Sequence, residues 1–326
     1  MPAWTEILKN NFKKWDLLCD YLELDEENRR KVLKQSTFPL NLPLRLAHKI
    51  AKNSLADPIF RQFVPLIEEE VRSLHFIKDP IQEETFLETK KLLHKYPSRA
   101  LLIATSACAM HCRFCFRRHF DYEVTEKHFT KELEWLASNE EIEEVILSGG
   151  DPLSLQNSSL AMLFQEIGTL SHVKRIRIHT RFPIGIPERI DQGLLDILEK
   201  SAQQIWMVIH CNHVKELDQD IFSSLKDVHT TGATVLNQAV LLRGINDSIE
   251  AQEELSLELI NHGIVPYYLH QLDRVEGASH FEVDELTGLH IIEALQEKIS
   301  GYGVPKYVRE VPGKACKTAL SRPPTP

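Results

Sequence analysis

From residue 99 onward, short apolar runs alternate with segments whose apolar residues recur at helical spacing. Apolar runs of strand length joined by helices predict a parallel sheet, because parallel neighbours need a crossover and both sheet faces are covered. The number of units favours an incomplete (β/α)6-type parallel barrel over a closed eight-fold one. The predicted strands are 101–105, 144–148, 175–179, 205–210, 234–241, 265–270 and 306–311, and the predicted helices are 126–138, 156–169, 191–202, 216–230, 248–262 and 284–300.

The first 95 residues have a different pattern, with apolar residues three and four positions apart over 4–18, 24–33 and 44–51. Pro39, Pro43 and Pro58 punctuate these segments, and no strand pattern is visible. We therefore expect three parts. Residues 1–95 form a helical extension that covers the core, 96–305 form the partial barrel, and 306–326 form a last strand with a lysine-containing loop.

Polar residues follow or interrupt every predicted barrel strand from the first to the sixth. In parallel barrels the active site is built from these carboxyl-terminal strand ends and the loops after them. Any single polar residue there could merely satisfy local backbone groups, but polar residues at all six ends favour a site. The stretches are Cys108–Cys115, 148–152 (Ser-Gly-Gly-Asp-Pro), His179–Arg181, His210–His213, Asn237–Gln238 and His270–Asp273.

The loop after the first strand carries Cys108, Cys112 and Cys115 at the spacing C-x3-C-x2-C. Thiolates are soft ligands that suit iron–sulfur clusters and zinc. Three thiolates leave one iron of a [4Fe–4S] cluster open to another ligand. Zinc is the alternative, with His111 or His119 as its fourth ligand, although the spacing is unlike that of paired C-x2-C zinc ribbons. A disulfide is a weaker alternative than zinc for this group, since three clustered cysteines cannot all pair.

Composition narrows the class of protein. A formal net charge of −9 and a pI of about 5.9 argue against a nucleic-acid surface. The first residues lack the basic and apolar regions of a secretory signal, and no apolar run reaches the roughly 18 residues of a membrane span. Cys19, Cys211 and Cys316 are scattered singly, which fits a reducing cytoplasm better than a disulfide scaffold. We expect a cytoplasmic protein without membrane or nucleic-acid partners.

Two further stretches suggest cofactor chemistry. Gly149-Gly150 follows an apolar strand, where the absence of side chains lets a ligand approach the backbone. Lys314 and Lys317 lie in a short loop after the last strand, and a lysine amine can bond covalently to a carbonyl compound when burial lowers its pKa. A simple turn and solvated lysines are the alternatives.

Taken together, these stretches resemble the lysine 2,3-aminomutases of the radical S-adenosylmethionine (SAM) superfamily. The resemblance runs from about residue 90 to residue 320. It is closest to the short branch that makes β-lysine for modification of translation elongation factor P, because of the helical lead-in and the ending soon after Cys-Lys-Thr. The matching stretches are 96–102, 112–118, 148–153, 236–247, 266–270, 277–281 and 300–305.

The resemblance implies three cofactors: a [4Fe–4S] cluster, SAM and pyridoxal 5′-phosphate (PLP). The three cysteines would ligate the cluster, and Lys317, which precedes Thr318, would carry PLP. The residues implied for SAM are Gly149, Gly150 and Asp151, with His210 and Gln238.

The resemblance also implies how lysine is held. Arg117 would pair with the substrate α-carboxylate, and Asp273 and Glu310 would face the side-chain ammonium. Two departures bear on this. The loop before Lys317 reads Pro-Gly-Lys-Ala-Cys instead of being glycine-rich, and Glu310 stands where longer aminomutases have aspartate.

The implied activity is an isomerase that moves the α-amino group of L-lysine from C2 to C3. A reductant protein such as flavodoxin or ferredoxin would supply electrons, and elongation factor P would be a functional partner. Alternatives are a radical SAM aminomutase for another amino acid, such as glutamate or arginine, and a non-catalytic metal-binding regulator. Free and protein-attached lysine both remain open as substrates.

Overall fold

The structure, a computed structural model, describes residues 2–122 and 128–321. Its strands are β1 (Leu87–Thr89), β2 (Leu92–Tyr96), β3 (Arg99–Thr105), β4 (Glu144–Gly149), β5 (Arg175–Thr180), β6 (Gln204–His210), β7 (Thr234–Val240), β8 (Val265–His270), β9 (Lys306–Arg309) and β10 (Thr318–Ala319). Within those ranges they form one sheet in chain order, which starts at β1 and ends unclosed at β10. Strands β3 to β9 are parallel, whereas β2 and β10 pair antiparallel with their neighbours.

The predicted incomplete parallel barrel is confirmed, since every predicted strand corresponds to one of β3 to β9. The burial pattern along the strands explains why the apolar runs predicted them. Alternate residues of β5 are buried, among them Ile176 and Ile178, whereas β4 is buried almost throughout. Helices cover the outer face of the strands, and the inner face borders the cavity described below.

The helices of the extension are α1 (Ala3–Lys9), α2 (Trp15–Tyr21), α3 (Glu26–Lys31), α4 (Leu44–Lys49) and α5 (Pro58–Phe63). Those of the barrel are α6 (Thr130–Ala137), α7 (Asn157–Gly168), α8 (Phe182–Gly185), α9 (Gln192–Glu199), α10 (Gln219–Thr230), α11 (Ile249–Asn261) and α12 (Glu285–Lys298). Each predicted barrel helix has a counterpart, although residues 126 and 127 of the predicted helix 126–138 lie outside the described ranges.

The extension differs from the prediction in two respects. The helix predicted over residues 4–18 is divided into α1 and α2 by an irregular segment. In addition, β1 and β2 lie where no strand pattern was recognised, and β2 crosses the expected boundary at residue 95. Both strands are short and are joined by Lys90–Lys91, so no apolar run marks them.

The extension packs directly on the barrel and shares its main hydrophobic core. Trp4 of α1 meets Phe182 of α8 edge to face, with ring centroids 5.4 Å apart. Phe60 of α5 and Leu147 of β4 belong to the same buried cluster. The extension therefore covers part of the barrel core. No helix in the described part of the chain has the length and apolar character needed to cross a membrane.

Candidate active site

A cavity of about 490 Å³ lies at the carboxyl-terminal edge of the parallel strands. Its wall contains every residue that the sequence analysis assigned to a site, and residues from β2, β3, β8 and the segment after β9 complete it. The assigned residues are Cys108, Cys112, Cys115, Arg117, Gly149, Gly150, Asp151, His210, Gln238, Asp273, Glu310 and Lys317.

The cysteine loop presents three free thiols to this cavity. Burial raises the pKa of all three, that of Cys115 to about 11. Buried thiolates therefore require a cationic partner, and iron provides one. Among the described residues, no three His, Cys, Asp or Glu side chains are gathered to hold a single metal ion. A four-iron cluster makes a different demand, because each of three thiolates binds its own iron. The donor chemistry thus fits the cluster.

The two histidines proposed as a fourth zinc ligand have other partners. Nδ1 of His111 lies 2.9 Å from the carbonyl oxygen of Pro39. Nε2 of His119 lies 3.2 Å from the carbonyl oxygen of Glu276. Each ring therefore has one nitrogen engaged outside the cysteine group, which weakens the zinc alternative.

Asparagines of the extension hold the backbone of the cysteine loop. Nδ2 of Asn11 donates to the carbonyl of Ala109 at 2.7 Å, and Nδ2 of Asn41 donates to that of Cys108 at 3.2 Å. The backbone N–H of His111 donates to the carbonyl of Asn41 at 3.0 Å. The extension thus supports the site as well as the core, which the sequence did not reveal.

An ion pair inside the protein anchors the middle of the loop. The Arg113 side chain is fully buried and donates to both carboxylate oxygens of Glu69, at 2.7 and 2.6 Å. Arg118 donates to the same carboxylate at 2.8 Å. Bidentate contact fixes the planar guanidinium in direction as well as distance. The cysteine loop is therefore held from both its backbone and its side chains.

The two glycines after β4 are required by close packing against the cysteine loop. Gly149 has a φ of +113°, which disfavours residues with a side chain. A Cβ at Gly150 would lie 2.4 Å from the carbonyl oxygen of Ala107. The N–H of Gly150 donates to Thr105 at 2.6 Å. These glycines line the cavity, but the space that their missing side chains leave is occupied by protein backbone.

Asp151 is buried, and its carboxylate is fully engaged with neighbouring groups. It accepts hydrogen bonds from the Thr180 hydroxyl at 2.8 Å and from the N–H groups of Leu153, Arg181 and Phe182. Its contacts join the turn after β4 to the turn after β5. In this structure Asp151 therefore orients these two turns relative to each other, and its assignment as a direct SAM ligand stays a prediction.

Arg117 reaches the cavity with all three guanidinium nitrogens already hydrogen-bonded within the protein. Its Nε and Nη2 donate to Glu83 at 2.7 and 2.6 Å. Its Nη1 donates to Ser148 Oγ at 3.0 Å and to the carbonyl of Gly149 at 3.3 Å. Glu83 thus fixes the guanidinium plane at the place where a substrate carboxylate was expected.

A short hairpin brings the predicted PLP lysine to its carboxylate. Strand β10 pairs Thr318 with Arg309, so the residues next to them, Lys317 and Glu310, lie opposite each other. Nζ of Lys317 is 2.7 Å from Oε2 of Glu310. Lys314 is exposed at the tip of the hairpin and does not line the cavity. The geometry favours Lys317 as the reactive amine.

Glu310 has two partners besides Lys317. Nζ of Lys95 donates to its Oε1 at 2.5 Å, and the Tyr96 hydroxyl donates at 2.7 Å. Burial acts to raise the pKa of Glu310, but the ion pair with Lys317 and the other donors lower it overall. This carboxylate is therefore charged and largely satisfied before any substrate enters.

Asp273, by contrast, faces the cavity alone. Its carboxylate has no hydrogen-bond or ion-pair partner in the ranges that the structure describes. Enclosure by protein raises its pKa to about 7, an effect that nearby Lys317 opposes and nearby Glu310 reinforces. Of the two carboxylates expected to meet the substrate ammonium, Asp273 is the one that needs a cation.

Three imidazoles, His179, His210 and His270, line the remaining wall, and enclosure by protein holds their pKa values well below the usual one. They are therefore neutral near pH 7. Nε2 of His179 is buried without a hydrogen-bond partner among the described residues. An unpaired polar atom on a cavity wall is consistent with a polar ligand there. Gln238 neighbours His210 in the β6–β7 register, and Asn237 instead bonds to the Cys211 backbone.

Several residues of the site were not assigned from sequence. Glu83 and Lys95 both belong to the extension. Glu83 is one of two adjacent glutamates, and Lys95 lies in a stretch of mixed polar residues. Tyr96 and Arg181 could have been recognised, because the sequence analysis had already singled out the stretches that contain them, 96–102 and the end of β5. The roles of all four residues depend on hydrogen bonds and ion pairs between distant segments of the chain, and the spacing of residues in the sequence does not show these contacts.

Comparison with known proteins agrees with the geometry. A partial parallel barrel with a three-cysteine loop at its carboxyl edge defines a class of iron–sulfur barrel proteins, and a family model described as "4Fe-4S single cluster domain" matches residues 98–199. The chain is 40% identical to L-lysine 2,3-aminomutase of Haemophilus influenzae, covering 97% of this chain and 94% of that one. It therefore belongs to the L-lysine 2,3-aminomutase family. The predicted family and cluster type are confirmed.

Other similarities differ in length and extent. The L-lysine 2,3-aminomutase of Escherichia coli is 38% identical over 94% of this chain and 90% of its own. That of Bacillus subtilis is 33% identical over 97% of this chain, but only 68% of its own length is covered. Among solved structures, a radical SAM methyltransferase from Sphaerobacter thermophilus aligns with a TM-score of 0.46 at 17% identity, over 67% of this chain and 68% of that one.

Proposed function

We propose that this protein moves the α-amino group of L-lysine from C2 to C3 and releases β-lysine. One observation carries the proposal. The cysteine loop, the amine of Lys317 and the unpaired carboxylate of Asp273 face a single cavity. A metal–sulfur centre, a reactive amine and a cation-binding group are the parts that this reaction needs. Membership in the family supports the same reaction.

Cys108, Cys112 and Cys115 would hold the [4Fe–4S] cluster, and the loops ending in Gly149–Gly150 and His210 would contact SAM, with Gln238 beside them. When bound, cluster and SAM supply a radical that removes a hydrogen atom, and PLP supplies a carbonyl that holds the migrating amine. The chain itself contributes placement and exclusion of water. The desolvation of Cys108 and His210 on the cavity wall is consistent with a site from which water is largely excluded.

Lys317 would hold PLP, and Glu310 would keep this lysine in place beforehand. A lysine nitrogen bonded to PLP would keep at most one N–H to donate to Glu310, in place of the three of the free ammonium. Lys95 and Tyr96 still donate to that carboxylate, so it is not left buried without a partner. We assign Lys95 the role of compensating the negative charge of Glu310 while Lys317 is bound to PLP.

Lysine would be clamped at its two ends. Arg117 offers a guanidinium already oriented by Glu83 to the α-carboxylate, and Asp273 takes the side-chain ammonium. A glutamate substrate would instead place a second carboxylate near Asp273, which is unfavourable where water is excluded. The site therefore selects a cationic side chain.

Substrate preference tests this proposal. Anaerobic protein reconstituted with iron, sulfide, PLP and SAM should convert L-lysine in the presence of a chemical reductant. Under the same conditions it should leave L-glutamate unchanged and convert L-arginine poorly. Preferential turnover of glutamate, or intact cluster and PLP with no amino-acid product, would overturn the assignment.

We further propose that the product is used to modify elongation factor P, because the matching stretches of the chain resemble the branch linked to that factor. The chain aligns over 94% and 90% of the lengths of the relatives from H. influenzae and E. coli. All six cysteines are free, which suits a reducing cytoplasm with a flavodoxin or ferredoxin as electron donor. Deleting the gene in its host should remove the β-lysyl mass increment from elongation factor P, and restoring it should bring that mass back. An unchanged mass would contradict this link.

A further inference from the structure

Behind the cysteine loop, the Arg181 guanidinium contacts one cysteine. Its Nη1 lies 2.8 Å from Sγ of Cys112. Its Nη2 donates to Glu216 at 2.6 Å and to Gln62 at 2.6 Å. Arg181 and Glu216 are both buried. The buried guanidinium of Arg181 thus contacts both a carboxylate and a thiol.

The position of this guanidinium is fixed from several sides. Phe63 and Phe114 lie against it, with ring centroids 4.5 and 5.6 Å from Cζ. The backbone N–H of Arg181 donates to Asp151 at 2.7 Å, which ties it to the turn after β4. The side chain therefore has little freedom to leave Cys112.

One donor of this guanidinium is unsatisfied. Nε of Arg181 is buried and has no hydrogen-bond partner among the described residues. Buried N–H groups are nearly always paired, so an unpaired one calls for an explanation. A cluster bound through Cys112 would bring sulfur acceptors next to the same guanidinium.

From these contacts we propose that Arg181 is a positioning residue that hydrogen-bonds the Cys112 thiolate and raises the reduction potential of the cluster. Adding an electron makes the cluster more negative, so a fixed positive charge and a donor at its sulfur ligand favour the reduced form. Glu216 and Gln62 hold the guanidinium in place. The inference rests on the proposed cluster site.

The test is a redox titration of the cluster-loaded protein without lysine, followed by electron paramagnetic resonance of the reduced cluster. Arg181→Lys keeps the charge near Glu216 but removes the planar fork that spans both partners. We expect the equilibrium constant for reduction of the cluster to fall about tenfold in this variant. For a one-electron step this lowers the midpoint potential by about 59 mV. Gln62→Met, which changes no charge, should lower the potential less.

Arg189→Lys is the matched control. Arg189 is also fully buried, but it donates to the carbonyls of Leu153 and Leu155 and contacts no cysteine. It should lower the melting temperature without moving the midpoint. Unchanged midpoints in Arg181→Lys and Gln62→Met, cluster loss in both, or an equal shift in Arg189→Lys would overturn the proposal. If wild-type protein formed no four-iron cluster, the proposed function itself would fail.

Discussion

Nζ of Lys317 lies 2.7 Å from Oε2 of Glu310, across a hairpin whose tip is exposed. This pair connects the stability of the C-terminal segment to the chemistry of the site, because the same amine is the one proposed to hold PLP. Two lysines and a tyrosine converge on Glu310. Neutralising it would leave Lys95 and Lys317 close together without a counter-charge.

Glu310→Gln should therefore lower the free energy of unfolding by about 2 kcal/mol near pH 7. That is less than the roughly 3–5 kcal/mol for breaking a fully buried pair, because the Lys317 side chain is 28% exposed. The pKa of Glu310 is lowered in the folded state, so its stabilisation exists above the unfolded pKa of about 4.3 and disappears as pH falls through the folded value.

Urea unfolding at pH 7 and pH 3 measures this difference. Glu143→Gln is a matched control, since Glu143 pairs with Arg175 at 2.9 Å but is 55% exposed. It should cost less than about 1 kcal/mol. Equal effects of the two substitutions would show that the Glu310 network does not stabilise the hairpin.

Lys317 should be the residue that binds PLP. Borohydride reduction of PLP-loaded protein, followed by peptide mapping, should place the pyridoxyl group on Lys317. Lys317→Arg should abolish the PLP absorbance, whereas Lys314→Arg, in the exposed tip, should retain it. A pyridoxyl group on Lys314 would mean that the hairpin register described here is not the functional one.

Asp273→Asn should reduce kcat/KM for lysine by about a hundredfold or more while cluster and PLP content stay intact. The pKa of Asp273 is raised to about 7 before substrate binds, and only the ionised form attracts an ammonium. Between pH 6 and pH 8 the wild-type kcat/KM should thus rise about tenfold with this ionisation. The Asn variant should lack that rise. A variant with wild-type turnover would remove Asp273 from substrate recognition.

Glu69→Gln should release the cysteine loop from the extension. It leaves two buried arginines, Arg113 and Arg118, without full charge compensation, at a cost of about 3–5 kcal/mol. We expect less iron per chain after reconstitution and a lower melting temperature. Glu70→Gln, at the neighbouring exposed position, should change neither. Normal iron loading in Glu69→Gln would show that this ion pair is not needed to hold the cysteine loop for cluster binding.

The sequence predicted the strands well where apolar runs are long, as in β4 and β6, because burial on both faces leaves a continuous apolar pattern. It missed β2 and β10, which are short and held by pairing with neighbours instead of by composition. The polar strand ends pointed to the edge of the sheet where the cavity lies, whereas Arg117, Glu310 and Lys317 were implied only by the family resemblance; all of them line that cavity.

Their partners could not be predicted in the same way. Glu83 reaches Arg117, and Lys95 reaches Glu310, across long stretches of chain. Only the folded register brings such charges together. The glycines show the same limit, since spacing suggested room for a ligand whereas Gly150 is required by the backbone of Ala107.

The proposed amino migration is tested most directly by following the nitrogen atom itself. Reconstituted, reduced protein is incubated anaerobically with SAM, PLP and L-lysine labelled with ¹⁵N at the α-amino group, and the products are separated and read by NMR. We expect β-lysine with the label on C3. Cys112→Ala, which should lose the cluster, serves as the control without product. Recovery of only α-lysine from wild-type protein with full cluster and PLP content, or β-lysine without the label, would contradict this expectation.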